Sequence, residues 1–320
     1  MEDNALNRHD VDWAKVRRAA YRQAGSAQRP VDTYPAIESA VNALADGHSH
    51  FYVPKAAEEF FGAKATREQE SGAADRLPVK GRALRGRVGH LSLPGVHGSR
   101  GVSQQYVREG RAAVARANRP KACGWVIDLR RNRGGNMWPM LASVGTVLGD
   151  GDVGAFVDAE GEKSVWSIDK GRPLLDGEPV GWGPAAPVGV GAVPVAVLHG
   201  RFTASAGEAV AVAFRGRPDT RSFGQNTLGV PTGNKAHRLP DGAVLNLTED
   251  KDADRTGRTY DGPIPPDAVV VDSLGRAGKR DRVLEAATAW LSGQSACRER
   301  STPRGSAIGP PAVRFLHRDA

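Results

Sequence analysis

Cysteine is scarce in this 320-residue chain, which contains only Cys123 and Cys297. Two cysteines exclude a disulfide-rich scaffold, in which several bridges replace a hydrophobic core. Cys123 lies within the apolar run KACGWVIDL, which predicts a buried thiol, whereas Cys297 borders a polar tail. Because free thiols persist in reducing compartments, this pattern favours a cytoplasmic location.

Long apolar runs are also missing. A membrane-spanning helix needs about 20 consecutive apolar residues, and no such run occurs. The N-terminal stretch MEDNALNRHDVDWAKV is charged where a secretory signal would have an apolar centre. We therefore expect a cytoplasmic protein that has no membrane partner.

Acidic residues are outnumbered, since 44 Lys and Arg residues face 36 Asp and Glu residues, for a net charge of +8. No nucleic-acid-binding motif accompanies the excess, so we predict a solvated basic surface and no nucleic-acid partner. Much of the positive charge lies near the C-terminus, at Arg276, Lys279, Arg280, Arg282, Arg298, Arg300 and Arg304.

Strand-like and helix-like segments alternate between residues 88 and 225. This alternation is typical of an α/β fold with a mostly parallel sheet. Residues 151–192 contain many Gly and Pro residues with short strand signals, which predict a β-rich excursion over one face. The predicted organisation is an N-terminal helical cap at 1–53, a flexible connector at 54–86, a core domain at 87–296 and a disordered basic tail at 297–320.

A serine stands where an apolar strand leads into a helix, in the run VPVAVLHGRFTASAGEAVAVA. The free backbone N–H groups at a helix N-terminus can hold an anion, and the amide of Ala206 would be such a donor beside Ser205. Small neighbours let a substrate backbone approach closely. Ser205 is therefore a candidate nucleophile. The alternative is a simple helix cap, a position that serine favours and that Thr203 could also fill.

A second loop, RNRGGN, follows the buried strand ACGWVIDLR. Sites in parallel sheets form at the carboxyl ends of the strands, so this loop and the serine turn are expected to meet. Gly134 or Gly135 would then offer an amide that completes an oxyanion hole, although an ordinary turn is the alternative reading. The motif GxxxxGK is absent, which excludes a phosphate-binding loop of that type.

The general base of such a serine is usually a histidine. The run ADGHSHF contains His48 and His50 directly after a helix stop, which makes both candidates for the base. A zinc site would need further ligands that are not evident, so no metal and no cofactor are expected. An α/β-hydrolase order of nucleophile, acid and base would require Ser205, Asp219 and His237, a span too short for the intervening strand–helix units.

Several segments together resemble the serine peptidase family that contains the tail-specific (C-terminal processing) proteases, the tricorn core and the interphotoreceptor retinoid-binding protein. The run GGNMWPM is most similar to the branch of the nisin resistance protein. The resemblance implies a crotonase-like α/β/α sandwich core with a helical cap. The matching segments are LADGHSHF, GHLSLPG, VIDLRRNRGGNMWPM, FTASAGEAVAVAFRG, RSFG and GPIPPD, in family order from about residue 10 to 290.

The resemblance assigns the catalytic roles to particular residues. It makes Ser205 the nucleophile and His48, in DGHS, the base, with His50 as the runner-up. Tail-specific proteases instead use a lysine at a position that is Gln225 here, and Lys235 is a remote substitute. The amides of Ala206 and of Gly134 or Gly135 would form the oxyanion hole, and Asn136 and Glu208 would bind substrate. Candidate acids to orient the base are Asp46, Glu249, Asp254 and Asp261.

The space between His50 and the strand at Arg87 is too short for the PDZ domain of the tail-specific proteases. We expect a serine peptidase that recognises a peptide or protein substrate in its own groove. A non-catalytic protein that binds a small ligand or a peptide on the same fold is the alternative. The sequence indicates neither the peptide that is cut nor the oligomeric state.

Overall fold

Two β-sheets and the helices packed against them form the part of the chain that the computed structural model describes, residues 1–61, 77–183, 192–271 and 280–298. The N-terminal helices lie beside the larger sheet. The α-helices are α1 (Trp13–Ala24), α2 (Tyr34–Asn42), α3 (Pro54–Phe61), α4 (Arg100–Ala117), α5 (Met137–Leu148), α6 (Ala206–Phe214), α7 (Arg282–Ser292) and α8 (Ser295–Arg298).

The strands are short, apart from one of 11 residues in the larger sheet. They are β1 (His50–Tyr52), β2 (Lys80–Leu84), β3 (Val88–Ser92), β4 (Gly124–Asp128), β5 (Gly151–Val157), β6 (Lys163–Asp169), β7 (Arg172–Leu175), β8 (Glu178–Pro179), β9 (Val195–His199), β10 (Thr220–Gly224), β11 (Thr232–Arg238), β12 (Val244–Asp254), β13 (Thr259–Tyr260) and β14 (Ala268–Val269).

The smaller sheet has the strand order β14-β10-β9-β4-β3-β2. All its neighbours are parallel except the β2–β3 pair. The prediction of a mostly parallel sheet in an α/β fold is therefore confirmed. Its central strands β4 and β9 are almost fully buried and apolar, as expected where helices cover both faces.

The larger sheet is antiparallel, with the order β1-β12-β5-β6-β7-β8 and with β11 and β13 also paired to β12. The predicted β-rich excursion is present as β5 to β8. It is only part of the sheet, because β11, β12 and β1 complete it.

Helices α4, α5 and α6 lie on one side of the parallel sheet, and α7 covers the other side. Helix α6 also contacts β12 and β5, and α5 contacts β7, so these helices separate the two sheets. The main hydrophobic core fills this middle layer and includes Trp125, Trp166 and Phe214. This arrangement brings the start of α6 between the sheets.

The predicted flexible connector at 54–86 is wrong in its described parts. Pro54–Phe61 forms α3, and Lys80–Leu84 is the edge strand β2. Strand β2, with the sequence KGRAL, has little apolar pattern and forms by pairing with β3. Gly81 lets its backbone lie against Ala113 of α4, where a Cβ would come within 2.1 Å of a carbonyl oxygen. The rest of the connector, 62–76, and the tail at 299–320 lie outside the described residues.

The two cysteines form a disulfide, Cys123–Cys297, which corrects the prediction of two free thiols. No local pattern indicated the pairing, because 174 residues separate the two positions. Cys123 directly precedes β4, and Cys297 lies in α8, so the bridge attaches the C-terminal helices to the parallel sheet. It lies at the N-terminal end of β4, opposite the strand ends that carry the serine turn.

Candidate active site

A groove of about 620 Å³ runs past the carboxyl ends of the central parallel strands. Ser205, His48 and His50 all line it, together with Asn136 and Gly135. Residues from distant parts of the chain thus meet here, as the topology of parallel sheets predicts. One wall comes from the antiparallel sheet, through Phe156, Thr232, Gly233, Asn246 and Asp252, and from Val230 in the loop that precedes β11.

Ser205 stands at the N-cap of α6 with a positive φ of 51° and a ψ of −122°. Such a backbone conformation is costly for a residue with a Cβ and is typical of functional turns. The neighbouring Thr203 does not act as the cap. Its buried hydroxyl donates to Leu129 O at 2.9 Å and accepts from the Gly200 N–H at 3.0 Å, which pins the turn to the end of β4.

The glycine loop lies directly against the serine. A Cβ placed on Gly134 would come within 2.9 Å of Ser205 Cβ and 3.4 Å of Ser205 Oγ. Gly134 and Gly135 both have positive φ, 97° and 115°. Only glycine therefore allows the loop this conformation and this approach at position 134.

Two backbone amides in this region make no hydrogen bond to any described residue, those of Gly135 and Ala206. Both residues line the groove. Ala206 is the first residue of α6, so its N–H has no partner within the helix. The Gly134 amide is different, because it donates to Asn132 Oδ1 at 3.0 Å. Of the two glycine alternatives, Gly134 is therefore excluded as an oxyanion donor, and Gly135 remains.

Asn132 holds the two loops together. Its side chain accepts from the Gly134 N–H and donates to Leu93 O at 3.0 Å, while its carbonyl accepts from the Ala204 N–H at 3.0 Å. The residue is fully buried, so each of these bonds is shielded from water. A role for Asn132 was not predicted, although the residue lies within the loop RNRGGN.

His48 is held through one ring nitrogen. Its Nδ1 lies 2.6 Å from Oγ1 of Thr232, the first residue of β11. If Nδ1 carries the proton and donates to this hydroxyl, Nε2 is left as the acceptor. Burial lowers the pKa of His48 to about 4, with a smaller lowering from His50 and an opposing effect of Asp46. The imidazole is therefore neutral at pH 7, the form that a general base requires.

The loop that carries His48 is itself fixed by hydrogen bonds. Asp46 Oδ1 accepts from the His48 and Ser49 N–H groups at 2.9 and 2.7 Å. Asn234 of β11 donates from Nδ2 to the His48 carbonyl at 2.8 Å and accepts from the Thr248 hydroxyl at 3.0 Å. The backbone of His48 is therefore held by Asp46 of its own loop through the N–H group and by Asn234 of the antiparallel sheet through the carbonyl.

The other candidates for the base are less well supported. His50 lines the same groove, but its ring makes only an edge contact with Tyr52 at 6.2 Å between centroids. Lys235 is exposed and forms ion pairs with Glu249 and Asp250 at 3.2 and 3.7 Å. Lys235 and Gln225 are not among the residues that line the groove.

The candidate orienting acids have other partners. Asp46 organises its own loop, and Glu249 contacts Lys235 and His237. Asp254 accepts from the hydroxyls of Thr256 and Tyr260. Asp261 is exposed and lies 4.0 Å from Lys251. The group that contacts the histidine ring is Thr232, which the sequence analysis did not single out because a lone threonine has no motif.

The α/β-hydrolase alternative does not assemble. Asp219 precedes β10 and lies at the N-terminal end of the parallel strands, whereas Ser205 follows the C-terminal end of β9. His237 contacts Glu249 in the antiparallel sheet. The three residues therefore do not meet.

The prediction that Glu208 binds substrate is wrong. Its side chain is 0% exposed, and its carboxylate accepts from the backbone N–H groups of Ser205, Gly229 and Val230 at 2.8, 2.9 and 3.0 Å. Burial raises the pKa of Glu208, and these hydrogen bonds oppose the rise. Glu208 thus fixes the serine turn against the loop that precedes β11, and it is absent from the groove lining.

Asn136 remains a candidate for substrate contact. It is exposed, lines the groove and stands at the N-cap of α5, where its Oδ1 accepts from the Trp138 N–H at 3.1 Å. His97 also lines the groove, and burial lowers its pKa. Its ring lies against the glycine loop, because a Cβ on Gly135 would come within 3.1 Å of His97 Cε1. This histidine was not predicted.

Within the described ranges, no three His, Cys, Asp or Glu side chains cluster so as to hold a metal ion. No helix in the same part of the chain is both long and apolar enough to cross a membrane.

Comparison with known sequences identifies a family. The sequence model of peptidase family S41 matches residues 87–270, more than half of the chain. The nisin-resistance protein of Lactococcus lactis subsp. lactis is 25% identical over 272 residues, which cover 83% of this chain and 79% of that protein.

Comparison with solved structures agrees. A lipoprotein from Streptococcus agalactiae superimposes with a TM-score of 0.72 at 22% identity, over 91% of this chain and 92% of that one. The photosystem II D1 C-terminal processing protease superimposes with a TM-score of 0.60 at 17% identity, over 92% of this chain and 95% of that one. At these identities the likeness concerns the fold.

Proposed function

Because the chain belongs to peptidase family S41, we propose that it is a serine peptidase in which Ser205 is the nucleophile and His48 the general base. One observation carries the proposal. The unpaired amides of Gly135 and Ala206 open into the same groove as Ser205 and the tethered, neutral His48. The core on which they stand is expected to be crotonase-like.

The reaction begins when Nε2 of His48 takes the proton of the Ser205 hydroxyl. The hydroxyl oxygen then attacks the carbonyl carbon of a bound peptide. Thr232 accepts the Nδ1–H and keeps the ring in the tautomer that leaves Nε2 basic. The resulting imidazolium is short-lived, because its burial and its neighbour His50 disfavour the charge.

The negative charge of the tetrahedral intermediate rests on the amides of Gly135 and Ala206. Removing one such donor typically costs on the order of 3–4 kcal/mol of transition-state stabilisation. His48 then protonates the leaving amine, and a water molecule hydrolyses the acyl-enzyme by the same route. The role of Asn132 is to hold the glycine loop against the serine turn.

The substrate is a peptide that lies extended in the groove, with Asn136 at one side as a hydrogen-bonding contact. Asn136 uses its oxygen as a helix cap, which leaves its amide N–H groups for the substrate. The name of the Lactococcus relative makes nisin one peptide to assay. Tail-specific cleavage, as in the processing protease, is a second possibility that the same assay covers.

The cellular location stays a prediction. A cytoplasmic site was expected from two free thiols and from a charged N-terminal stretch, and the disulfide Cys123–Cys297 removes the first of these grounds. Disulfides of this kind are typical of oxidising compartments.

The test is hydrolysis of peptides followed by mass spectrometry. Wild-type protein should cleave a peptide library that includes nisin, and Ser205→Ala should lose at least about 10³-fold in kcat/KM. Ser292→Ala, in the exposed part of α7, is the matched control and should retain full activity. Retained hydrolysis by Ser205→Ala would refute the assignment of the nucleophile, and a wild-type protein that cuts nothing but binds peptide would favour the binding-protein alternative.

A further inference from the structure

One carboxyl group in the groove has no partner. Asp252, on β12, is 1% exposed, and neither of its side-chain oxygens makes a hydrogen bond to any described residue. It nevertheless lines the groove that contains Ser205 and His48. Buried carboxyl groups normally have a hydrogen-bonding or ionic partner, because an unpaired one costs stability.

Asp252 is the one acidic side chain among the described residues that line the groove. The charged or titratable side chains that share the lining are Arg133, Tyr52 and the histidines His48, His50 and His97. None of them forms an ion pair with it within the described part of the chain. A group that enters the groove would therefore displace no described partner of this carboxyl.

The surroundings of Asp252 are apolar on the groove side. Phe156 stands directly opposite it in the antiparallel pair of β12 and β5, so the two side chains project from the same face of the sheet. Val230 and Ala209 line the same groove. An apolar wall with a carboxyl group at its end fits a side chain that has an aliphatic stem and a cationic tip.

The neighbouring acids favour a cation for a further reason. Burial is the largest effect that raises the pKa of Asp252, and the charges of Glu208 and Asp250 add to it. Glu208 already accepts three backbone N–H groups, and Asp250 lies beside Lys235. A cation next to Asp252 would favour the ionised form of its carboxyl group. The negative charges of Glu208 and Asp250 would attract the same cation.

We propose that Asp252 is a specificity-determining residue that binds the ammonium or guanidinium group of a Lys or Arg side chain in the peptide substrate. This inference rests on the proposed peptidase function. It assigns a substrate contact to Asp252, whose carboxylate has no described partner, whereas the carboxylate of Glu208 is occupied.

The first experiment compares pairs of peptides that differ at one position, where one peptide has Lys and the other has its neutral isostere norleucine. A series of such pairs places this position at each site along the peptide. At one position the wild-type protein should favour Lys by at least about tenfold in kcat/KM. Asp252→Asn should abolish that preference while keeping the rate on the norleucine peptide within about threefold. Asp261→Asn, which removes the same charge from an exposed site, is the control and should keep the preference.

An equal loss on both peptides would overturn the inference and make Asp252 a positioning residue. Absence of any preference for Lys in the wild type would also overturn it. A second measurement, by calorimetry, does not depend on turnover. Ser205→Ala should bind the Lys peptide about tenfold more tightly than the norleucine peptide, and Asp252→Asn in that background should bind both equally. Failure of hydrolysis with the binding preference intact would refute the peptidase function alone.

Discussion

Thr232 Oγ1 lies 2.6 Å from Nδ1 of His48 and connects the loop after α2 to the first residue of β11. This hydrogen bond fixes the orientation of the histidine ring. The bond spans 184 residues of sequence and depends on β11 pairing with β12 beside β1. The antiparallel sheet thus sets the orientation of the proposed base, whereas the proposed nucleophile follows strand β9 of the parallel sheet.

Replacing Thr232 with valine should lower kcat by roughly tenfold and leave KM within about twofold. Valine keeps the shape of the side chain but cannot accept the Nδ1–H, so the ring loses its preferred tautomer. The measurement is steady-state hydrolysis of a peptide that lacks basic residues. Thr259→Val, on the exposed strand β13, is the matched control, and an unchanged kcat for Thr232→Val would contradict the orienting role.

The low pKa of His48 predicts that kcat/KM falls on the acid side only at unusually low pH. Because burial lowers the pKa of His48 to about 4, the base stays neutral as the pH falls below the ordinary histidine value of about 6.5. The kcat/KM on a peptide without basic residues should therefore decline only near pH 4 to 5. An acid limb centred at 6.5 or above would show that His48 is not the titrating base.

Stability should respond in the same pH window. Between about pH 6.5 and pH 4 an unfolded His48 binds a proton that the folded residue does not, so the free energy of unfolding falls as the pH falls. His199, whose pKa burial also lowers to about 4, adds to the same effect. His48→Gln should reduce this slope, as measured by denaturant titration at pH 7 and pH 5.

Local patterns in the sequence were enough to predict the parallel sheet, the serine turn and the glycine loop. Short apolar runs predicted β4 and β9, and small residues with glycines indicated the two loops at their ends. The residues that were missed act through long-range contacts. The roles of Thr232 and Asp252 depend on contact between the two sheets, and that of Asn132 on loops that are distant in sequence. The polar residues of β11 offered no apolar pattern from which the strand could be predicted.

Glu208 illustrates the reverse error. Its spacing of three residues from Ser205 suggested either a helix-terminal charge or a substrate contact, and sequence could not tell which. In the structure its carboxylate accepts hydrogen bonds from three backbone N–H groups. The loop at Gly229 and Val230, 21 and 22 residues further on, supplies two of them, which no local pattern could reveal.

Glu208→Gln should therefore behave as a structural change. An amide has one acceptor oxygen, so at least one of the three backbone donors loses its partner, at a cost of roughly 2–3 kcal/mol in the free energy of unfolding. We expect a lower Tm and an equal fall in kcat/KM on the Lys and norleucine peptides. A selective loss on the Lys peptide without a change in Tm would return Glu208 to the substrate site.

The disulfide should support stability without affecting catalysis. It closes a loop of about 174 residues, for which the chain-entropy account gives up to about 5 kcal/mol. Cys297→Ser should lower the Tm measured by calorimetry, and adding a reductant to the wild type should have a similar effect. At temperatures well below melting, kcat/KM should be unchanged, because the bridge lies at the strand ends opposite the groove. A large fall in activity at 25 °C would contradict this separation.

The most direct test of the account is covalent labelling of the folded protein with a serine-reactive fluorophosphonate, followed by intact mass spectrometry and peptide mapping. We predict a single adduct on Ser205, because the proposed general base and the two proposed oxyanion donors would activate this hydroxyl and stabilise the adduct. His48→Ala should slow labelling by at least about 10²-fold, whereas His50→Ala should label at nearly the wild-type rate. Absence of an adduct on Ser205, or labelling at a rate that does not depend on His48, would contradict the account.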